Sequence, residues 1–190
     1  DHFNYFSNDR SCYIEIKIMI ENKNIFLEKK ILIYGLGKSG LSTYKFLNKK
    51  AKVHLFDDNL KKKFRHQPKQ WINNIKEISK IKFDIIIISP GIDILNCKLS
   101  KFLKKNESKI YTDLDIFYSF YKNKSITITG TNGKSTTAKI LHDILSDQNY
   151  DCRLIGNIGN PALSEKKITK KTVFVIEASS YQLDYSQLFT

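Results

Sequence analysis

Cysteine is scarce in this sequence of 190 residues, and the few cysteines present are not spaced for a shared role. Cys12, Cys97 and Cys152 are an odd number at unrelated spacings, with no Cys-x-x-Cys pair and no paired histidines. Disulfide frameworks and zinc sites both require sets or close pairs of such residues. The sequence therefore predicts neither, and a reducing cytoplasm is the expected location.

Long hydrophobic runs are also missing. The longest candidate is Ile85–Ile88, whereas a membrane-spanning helix needs about 18 apolar residues or more. Near the start of the sequence, Asp9, Arg10, Glu15 and Lys17 interrupt any apolar core that a secretory signal would need. No membrane association is expected.

Arginine is scarce although the net charge is +13, from 32 Lys+Arg against 19 Asp+Glu. The excess is lysine, scattered among asparagine and isoleucine along the whole chain. Nucleic-acid readout relies on the planar guanidinium of arginine, which binds bases and phosphates through paired hydrogen bonds. Without clustered arginine or a stacking platform, no nucleic-acid partner is predicted. The 41% hydrophobic and 12% aromatic content is typical of a globular protein.

Short apolar runs alternate with segments of helical spacing. The predicted strands are 31–34, 53–56, 84–89 and 109–111, and the predicted helices are 39–49, 60–80, 98–105 and 113–121. The helix over 60–80 depends on the spacing of Trp71, Ile72, Ile75 and Ile78. Strands separated by helices imply parallel strands joined by crossovers. The predicted fold class is α/β, with a small Rossmann-like parallel-sheet domain first.

A domain boundary is predicted at Asn123-Lys124. Residues 25–123 would form the Rossmann-like domain, and residues 124–190 the first, incomplete part of a P-loop α/β ATPase domain. That second part has strands near 125–128, 152–154 and 173–176 and a helix over 134–146, fewer elements than cover both faces of such a sheet. Residues 1–24 are interpreted as an N-terminal extension of uncertain status, and the native protein is expected to start at Met19.

The segment after residue 124 contains the most specific motif. A β-branched strand, Ser125–Ile128, leads into Gly130-Thr131-Asn132-Gly133-Lys134-Ser135-Thr136, and a predicted helix follows. Backbone N–H groups of such a loop and the positive end of the helix form an anion site for phosphate oxygens. Lys134 would reach the β- and γ-phosphates of a nucleoside triphosphate, and Ser135 would bind Mg²⁺. Ile128 stands where the general pattern has its first glycine, so the loop is a shortened variant.

A second glycine motif, Gly35-Leu36-Gly37-Lys38-Ser39-Gly40, follows the first strand and opens a helix. Asp57 ends the next strand about twenty residues later, where dinucleotide-binding proteins meet a ribose hydroxyl. The pattern permits an NAD site or a diphosphate site used for a nucleotide-linked substrate. Ser89-Pro90-Gly91 ends the third strand, which is where ligands bind in open α/β sheets, although it could equally be a plain turn.

Two further segments follow the loop Gly130–Thr136, which we call the predicted phosphate loop. Gly156-Asn157-Ile158-Gly159 carries two glycines and an amide, and Glu177 ends a strand just before Ser179-Ser180-Tyr181-Gln182. A carboxylate at a strand tip beside a phosphate loop is well placed to hold Mg²⁺. A surface turn and a helix cap by Ser179 or Ser180 are the alternatives.

Taken in order, these motifs resemble the Mur ligase family, the ATP-dependent amide-forming enzymes of peptidoglycan precursor synthesis. The phosphate loop is shared with the folylpolyglutamate synthases. Asn157-Ile158-Gly159 and Ser179-Ser180-Tyr181-Gln182-Leu183 are most like the member that adds D-glutamate to UDP-N-acetylmuramoyl-L-alanine. The resemblance runs from about Ile31 to the end of the chain.

The resemblance implies a two-step reaction with ATP and Mg²⁺. The alanyl carboxylate of the UDP-muramoyl substrate would attack the γ-phosphate to give an acyl phosphate, and the amine of D-glutamate would then displace phosphate. The implied catalytic residues are Lys134, Glu177 and Asn157, with Ser135 and Glu177 on the metal. ATP would bind Gly130, Thr131, Asn132, Gly133, Lys134, Ser135 and Thr136. The substrate would bind Gly37, Lys38, Ser39, Asp57, Asp58, Gly91, Asn157, Ser179 and Gln182.

Two departures qualify the resemblance. Asn59 stands where better-known members have a basic residue. In the family, a further metal-binding histidine, a carbamylated lysine and a C-terminal domain lie beyond the point where this sequence ends, so the intact gene product is expected to be the ligase and the 190-residue chain is expected not to turn over by itself. Poor solubility is also expected, because a half-sheet ending after Glu177 would expose apolar strand edges. A monomer is expected. The alternative functions are another ligase of the superfamily, such as folylpolyglutamate synthase, or a non-catalytic nucleotide-binding module.

Overall fold

The computed structural model describes residues 24–59 and 69–189. The expected start at Met19, nearly all of the predicted extension and the first part of the predicted helix over 60–80 lie outside these residues. The strands are β1 (Lys30–Tyr34), β2 (Lys52–Phe56), β3 (Ile85–Ile88), β4 (Ile110–Tyr111), β5 (Ser125–Ile128), β6 (Cys152–Gly156) and β7 (Val173–Glu177). The helices are α1 (Lys38–Leu47), α2 (Ile75–Ile78), α3 (Ser100–Lys105), α4 (Asp113–Phe120), α5 (Lys134–Asp147) and α6 (Ser180–Asp184), with 3₁₀ turns at Glu107–Lys109 and Ala162–Ser164.

The first sheet has the strand order β2-β1-β3-β4, and every pair of neighbouring strands is parallel. All four residues of β3 and the last four of β1 are buried. Parallel sheets are covered on both faces, which is why their strands are continuous apolar runs instead of alternating ones. The predicted strands of this half agree with the structure to within one or two residues.

The predicted helix over 60–80 is wrong where the structure describes it, except for the single turn of α2. Trp71 lies in an extended segment that forms a parallel bridge with Leu55 of β2. The Ile72 N–H donates to the Leu55 carbonyl at 2.9 Å, and the Leu55 N–H donates to the Gln70 carbonyl at 3.0 Å. This segment provides backbone hydrogen-bond partners for the free edge of β2, and it buries the side chains of Trp71 and Ile72. Pairing along a sheet edge has outweighed the helical spacing of the apolar residues.

The second sheet has the order β5-β7-β6 and is also parallel. Its central strand β7 buries Phe174, Val175 and Ile176 completely. β5 lies at the edge, and the side chain of Ile126 there is 42% exposed. The predicted segment near 152–154 is the strand β6, which extends to Gly156.

The two sheets share one hydrophobic cluster. The ring of Phe117 on α4 meets the ring of Phe174 on β7 edge-to-face, with centroids 4.8 Å apart. Ala162 and Leu163, in the 3₁₀ turn that follows β6, are buried in the same cluster. The two sheets are therefore packed together through this cluster. No helix within residues 24–59 and 69–189 has the length and hydropathy to cross a membrane.

Candidate functional site

A cleft of about 550 Å³ opens at the carboxyl edge of the first sheet. Both halves of the chain contribute to its walls. The first half provides the glycine turn after β1, the tips of β2 and β3 and the loop that follows β3; the second half provides the loop after β6. The lining residues that the sequence singled out are Gly37, Lys38, Ser39, Asp57, Asp58, Gly91 and Asn157.

The glycine turn after β1 is fixed by two neighbouring strands. The Asp57 carboxylate accepts a hydrogen bond from the Leu36 N–H at 2.7 Å, and the Ser89 hydroxyl donates to the Gly35 carbonyl at 2.6 Å. Gly35 has a φ of +89°, a region that favours glycine. A side chain on Gly40 would collide with the Gly35 carbonyl, so α1 can pack closely against the turn only with glycine there. Gly37, Lys38 and Ser39 at the N-terminus of α1 line the cleft, and the backbone N–H groups of a helix N-terminus favour an anion.

Asp57 and Asp58 lie side by side in the cleft wall but have different partners. The second oxygen of Asp57 accepts from the Asn59 N–H at 2.9 Å. Asp58 accepts from the buried Tyr34 hydroxyl at 2.8 Å. Burial raises the pKa of Tyr34, and hydrogen bonds with Cys97 and Asp58 raise it further. Tyr34 thus remains a neutral donor that fixes the Asp58 carboxylate.

The phosphate loop lies at the carboxyl end of β5. Gly130 and Gly133 have φ angles of +145° and +74°, and Gly133 caps α5, whose first turn contains no acidic residue. Lys134 folds back over the loop, where its ammonium donates to the Gly130 carbonyl at 2.6 Å and to the Thr131 carbonyl at 3.3 Å. Most of the loop is exposed. This geometry suits an anion that reaches the loop from solvent.

Glu177 and Ser135 meet next to this loop. The Ser135 hydroxyl donates to the Glu177 carboxylate at 2.8 Å, and Glu177 is only 4% exposed. Mg²⁺ is usually held by one or two carboxylates together with phosphate oxygens and water. One carboxylate and one hydroxyl beside a phosphate loop fit that donor set. Among residues 24–59 and 69–189 there is no group of three or more carboxylate, histidine or cysteine side chains that could hold a metal alone.

Asn157 connects the cleft to this second region. Its backbone N–H donates to the Glu177 carbonyl at 2.9 Å, and the residue itself lines the cleft. The approach is close because the preceding residue is Gly156, at a φ of +106°, where a side chain would collide with the Glu177 carbonyl. The cleft therefore ends beside the strand tip that carries Glu177.

Ser179 and Gln182 are not in the cleft wall. They form a capping box at the start of α6, in which the Ser179 hydroxyl accepts from the Gln182 N–H at 3.2 Å. The Gln182 side chain is buried and donates to Asp113 at 3.0 Å. The structure thus brings seven of the nine predicted substrate residues into one cleft and places these two behind it.

Sequence reasoning missed the roles of Ser89 and Asp113. Ser89 was assigned only to a ligand-binding turn, whereas its hydroxyl supports the glycine turn. Asp113 has no role in the sequence-based prediction, but its carboxylate accepts from the Gln182 amide in the second half of the chain, while Thr112 caps α4. The capping pattern Thr112-x-x-Asp115 is visible in the sequence and favours Thr112 as the cap, but no local pattern connects Asp113 to Gln182.

Together, the fold and these loops define an α/β protein of two parallel sheets with glycine turns at their carboxyl ends. The chain belongs to the Mur ligase family: residues 29–110 match the Mur ligase MurD-like N-terminal domain, and residues 128–190 match the Mur ligase middle domain. The family resemblance expected from the motifs is confirmed.

Curated relatives agree with this assignment. A protein of Rickettsia felis is 36% identical over 171 residues, covering 88% of this chain and 37% of the relative. Proteins of Caldicellulosiruptor saccharolyticus and Buchnera aphidicola subsp. Schizaphis graminum are 33% identical over 173 residues and 38% identical over 164 residues, covering 85% and 84% of this chain and 38% and 37% of the relatives. All three are named UDP-N-acetylmuramoylalanine–D-glutamate ligase. The chain spans little more than a third of their length.

Proposed function

We propose that this chain carries the UDP-substrate site and the ATP-phosphate site of a ligase that adds D-glutamate to UDP-N-acetylmuramoyl-L-alanine. The observation that carries the proposal is the position of Asn157, which lines the cleft while its backbone bonds to Glu177. A substrate extended along the cleft would end where the phosphate loop and Glu177 meet. The names of the relatives support the same reaction, a step of peptidoglycan precursor synthesis.

The reaction begins with phosphoryl transfer. The alanyl carboxylate attacks the γ-phosphorus of ATP, the bond from that phosphorus to the β-γ bridging oxygen breaks, and ADP leaves. The amine of D-glutamate then attacks the carbonyl of the acyl phosphate, loses a proton and expels inorganic phosphate, leaving an amide. The first step needs charge neutralisation around the transferring group more than covalent help.

The residues near the phosphate loop would supply that neutralisation. Lys134 exchanges its bonds to the loop carbonyls for the β- and γ-phosphates, while backbone N–H groups of Gly130–Gly133 and the hydroxyl of Thr136 bind phosphate oxygens. Ser135 and Glu177 would hold Mg²⁺, which when bound neutralises developing charge on the phosphate oxygens. Asn157 would orient the substrate carboxylate at the end of the cleft.

The UDP part would bind in the cleft wall. The N-terminus of α1, with Gly37, Lys38 and Ser39, would hold the diphosphate, because its backbone donors and one ammonium face that space. Asp57, Asp58 and Gly91 would contact the uridine. Ser179 and Gln182 would act from behind the cleft, and residues 25–123 and 124–190 would be the substrate-binding and ATP-binding domains.

We further propose a cytoplasmic monomer without nucleic-acid or membrane partners. The 190-residue chain is expected not to turn over by itself, because the described residues provide one carboxylate at the metal position and the relatives are more than twice as long. Phosphate release with ATP, UDP-N-acetylmuramoyl-L-alanine and D-glutamate tests this expectation, and a rate clearly above background would contradict it.

Calorimetric titration of this chain tests the binding functions. Lys134→Ala should abolish detectable binding of Mg·ATP and leave binding of UDP-N-acetylmuramoyl-L-alanine unchanged. Lys139→Ala is the matched control, since Lys139 is on the same helix but pairs with Asp143 on the surface. Unchanged ATP binding by Lys134→Ala, or binding of a reduced folate in place of the UDP substrate, would contradict the proposal.

A further inference from the structure

The two neighbouring aspartates of the cleft wall differ in what their carboxylates bond to. Asp57 is 5% exposed, and both of its oxygens accept backbone N–H groups, from Leu36 at 2.7 Å and from Asn59 at 2.9 Å. Asp58 is half-buried, and its Oδ2 atom accepts from the Tyr34 hydroxyl at 2.8 Å. Asp57 therefore supports the backbone of the glycine turn and of its own loop, whereas Asp58 bonds to a single side chain.

The second oxygen of Asp58 has no such bond. Its Oδ1 atom is buried and has no hydrogen-bond partner within residues 24–59 and 69–189. An unpaired buried oxygen of a carboxylate is costly, and most buried polar atoms in folded proteins do have a partner. Because Asp58 lines the cleft, a molecule bound there is a partner that can supply the missing donor.

Asp58 is held in place at two points. Tyr34, the last residue of β1, is completely buried, and its ring packs against that of Phe56 with centroids 5.5 Å apart, so its hydroxyl has a fixed position. The Lys98 ammonium donates to the Asp58 backbone carbonyl at 2.9 Å. The side chain and the backbone of Asp58 are thus both anchored before any ligand binds, which lowers the entropy that binding would cost.

The free oxygen selects the kind of group that it can bind. A carboxylate oxygen accepts from N–H and O–H groups and repels phosphate oxygens. In a UDP-linked substrate the uridine carries such donors, namely the ribose hydroxyls and the imide N–H of uracil, whereas the ionised diphosphate carries none. The carboxyl end of the second strand is also where sheets of this kind bind the nucleoside, next to the helix N-terminus that binds the phosphates.

We propose that Tyr34 is a positioning residue for nucleoside recognition: its hydroxyl holds one oxygen of Asp58, so that the other oxygen accepts a hydrogen bond from an N–H or O–H group of the uridine. This role rests on the proposed function, because it assumes that the cleft takes the UDP-linked substrate. Tyr34 is completely buried and acts through Asp58.

Tyr44 provides a matched control. It lies on α1, its hydroxyl donates to Gln70 at 3.4 Å, and neither residue lines the cleft. Tyr44→Phe removes the same atom as Tyr34→Phe. A purely structural role for the Tyr34 hydroxyl would change the melting temperature of Tyr34→Phe and leave its affinity for the substrate unchanged.

The first test is a calorimetric double-mutant cycle with UDP-N-acetylmuramoyl-L-alanine on the 190-residue chain. Asp58→Ala should weaken binding about tenfold, the worth of a hydrogen bond to a charged group. Tyr34→Phe should weaken it about fivefold, because Asp58 loses its anchor. In an Asp58→Ala background, Tyr34→Phe should cost less than about twofold, since the two residues act as a unit. Tyr44→Phe should bind as wild type does.

The second test identifies the donor with three analogues of the substrate. The 2′-deoxy and 3′-deoxy analogues each lack one ribose hydroxyl, and the N3-methyl analogue lacks the imide N–H. The analogue without the recognised donor should bind wild type about tenfold more weakly than the substrate does, and should bind Asp58→Ala within about twofold of the substrate. The remaining two analogues should show the same ratio to the substrate in both proteins.

Equal affinities of wild type and Tyr34→Phe would overturn this role, and so would the same loss with and without the Asp58 side chain. Three analogues whose binding does not depend on Asp58 would overturn it as well. If Tyr34→Phe does not fold, Lys98→Met replaces it in the cycle, with an expected loss of about threefold that also depends on Asp58. Wild-type protein that does not bind the UDP substrate would instead overturn the proposed function, and this is read before any variant is compared.

Discussion

At the scale of single residues, Glu177 is the side chain on which the proposed phosphate site depends most. It is buried at the tip of β7 and bonded to the Ser135 hydroxyl. Glu177→Gln keeps the shape and removes the negative charge. We expect the enhancement of ATP binding by Mg²⁺ to fall about tenfold, because the proposed metal site would lose the one carboxylate that residues 24–59 and 69–189 provide there.

Titration of ATP with and without Mg²⁺ measures this effect. ATP binding without the metal should not weaken, and a Glu107→Gln protein should behave as wild type, because Glu107 is an exposed carboxylate on a 3₁₀ turn that does not line the cleft. A Glu177→Gln protein with the same Mg²⁺ dependence as wild type would remove Glu177 from the metal site.

The buried Asp113 also predicts a pH dependence of stability. Its pKa in the folded state is raised above the ordinary value of 3.8, mainly by burial. The folded state therefore binds this proton more tightly, so the associated stability is fully present below 3.8 and is lost as pH rises through the folded pKa. Asp113→Asn does not titrate and should gain in stability relative to wild type as pH rises above 3.8.

Urea unfolding of wild type and Asp113→Asn, from below pH 3.8 upward, gives the difference between their free energies of unfolding directly, because contributions from other groups cancel. A difference that is constant with pH, or that favours wild type more at higher pH, would contradict the raised pKa.

Sequence patterns predicted where the candidate site residues lie better than they predicted the hydrogen-bond partners of those residues. Asp57 was expected to meet a ribose hydroxyl, and it does line the cleft, but both of its carboxylate oxygens also accept backbone N–H groups. Spacing after a strand determines where a side chain emerges, whereas its hydrogen bonds depend on neighbouring strands that are remote in sequence. The hydrogen bond from Gln182 to Asp113 is of the same kind and left no local signal.

At the level of elements, the packing of α1 against the glycine turn gives a sharp prediction. A side chain on Gly40 would collide with the Gly35 carbonyl and come within 2.8 Å of the Ser89 hydroxyl. Gly40→Ala should therefore lower the free energy of unfolding by about 1–3 kcal/mol, the usual cost of overpacking. Gly37→Ala should change stability by less than about 1 kcal/mol, because nothing lies within 4 Å of its added carbon and its φ is −71°.

Urea unfolding of the two alanine variants checks this prediction. Equal destabilisation by both substitutions, or none by Gly40→Ala, would show that α1 does not need close contact with the turn.

Strands were predictable and the segment before α2 was not. Buried parallel strands such as β3 are short apolar runs bounded by turn residues, and that signal is local. The spacing of Trp71, Ile72, Ile75 and Ile78 suits a helix. In the structure, however, Trp71 forms a bridge with Leu55 of β2, and the Ile72 N–H donates to the Leu55 carbonyl. Only the position of the sheet edge distinguishes the two structures, and that position is set by tertiary contacts.

At the scale of the whole molecule, the shared hydrophobic cluster predicts that the two sheets unfold together. Phe174→Ala removes a completely buried ring that meets Phe117 from the other half. We expect a loss of about 3–5 kcal/mol in the free energy of unfolding. Trp71, the single tryptophan, forms a bridge with Leu55 of the first sheet and therefore reports on that sheet.

In Phe174→Ala, the unfolding transition followed by Trp71 fluorescence should therefore shift to a lower urea concentration, although the substitution is in the second sheet. A fluorescence transition that stays in place, while circular dichroism shows the second sheet unfolding earlier, would mean that the halves fold independently.

The arrangement of the whole site could not be predicted from the sequence. The motifs indicated two separate glycine loops, one on each sheet. The position of Asn157, which lines the cleft and bonds to Glu177, depends on how the turn after β6 packs against α1 and α4, which no spacing reveals. The packing brings the end of the cleft to the strand tip that carries Glu177.

The central claim is that one chain holds a UDP-linked substrate and a nucleoside triphosphate side by side. Calorimetric titration of UDP-N-acetylmuramoyl-L-alanine into this protein, first alone and then saturated with Mg²⁺ and a non-hydrolysable ATP analogue, measures it most directly. The account predicts one molecule of the UDP substrate bound per chain in both cases, with the analogue still in place. Displacement of one nucleotide by the other, or no binding of the UDP substrate, would contradict it.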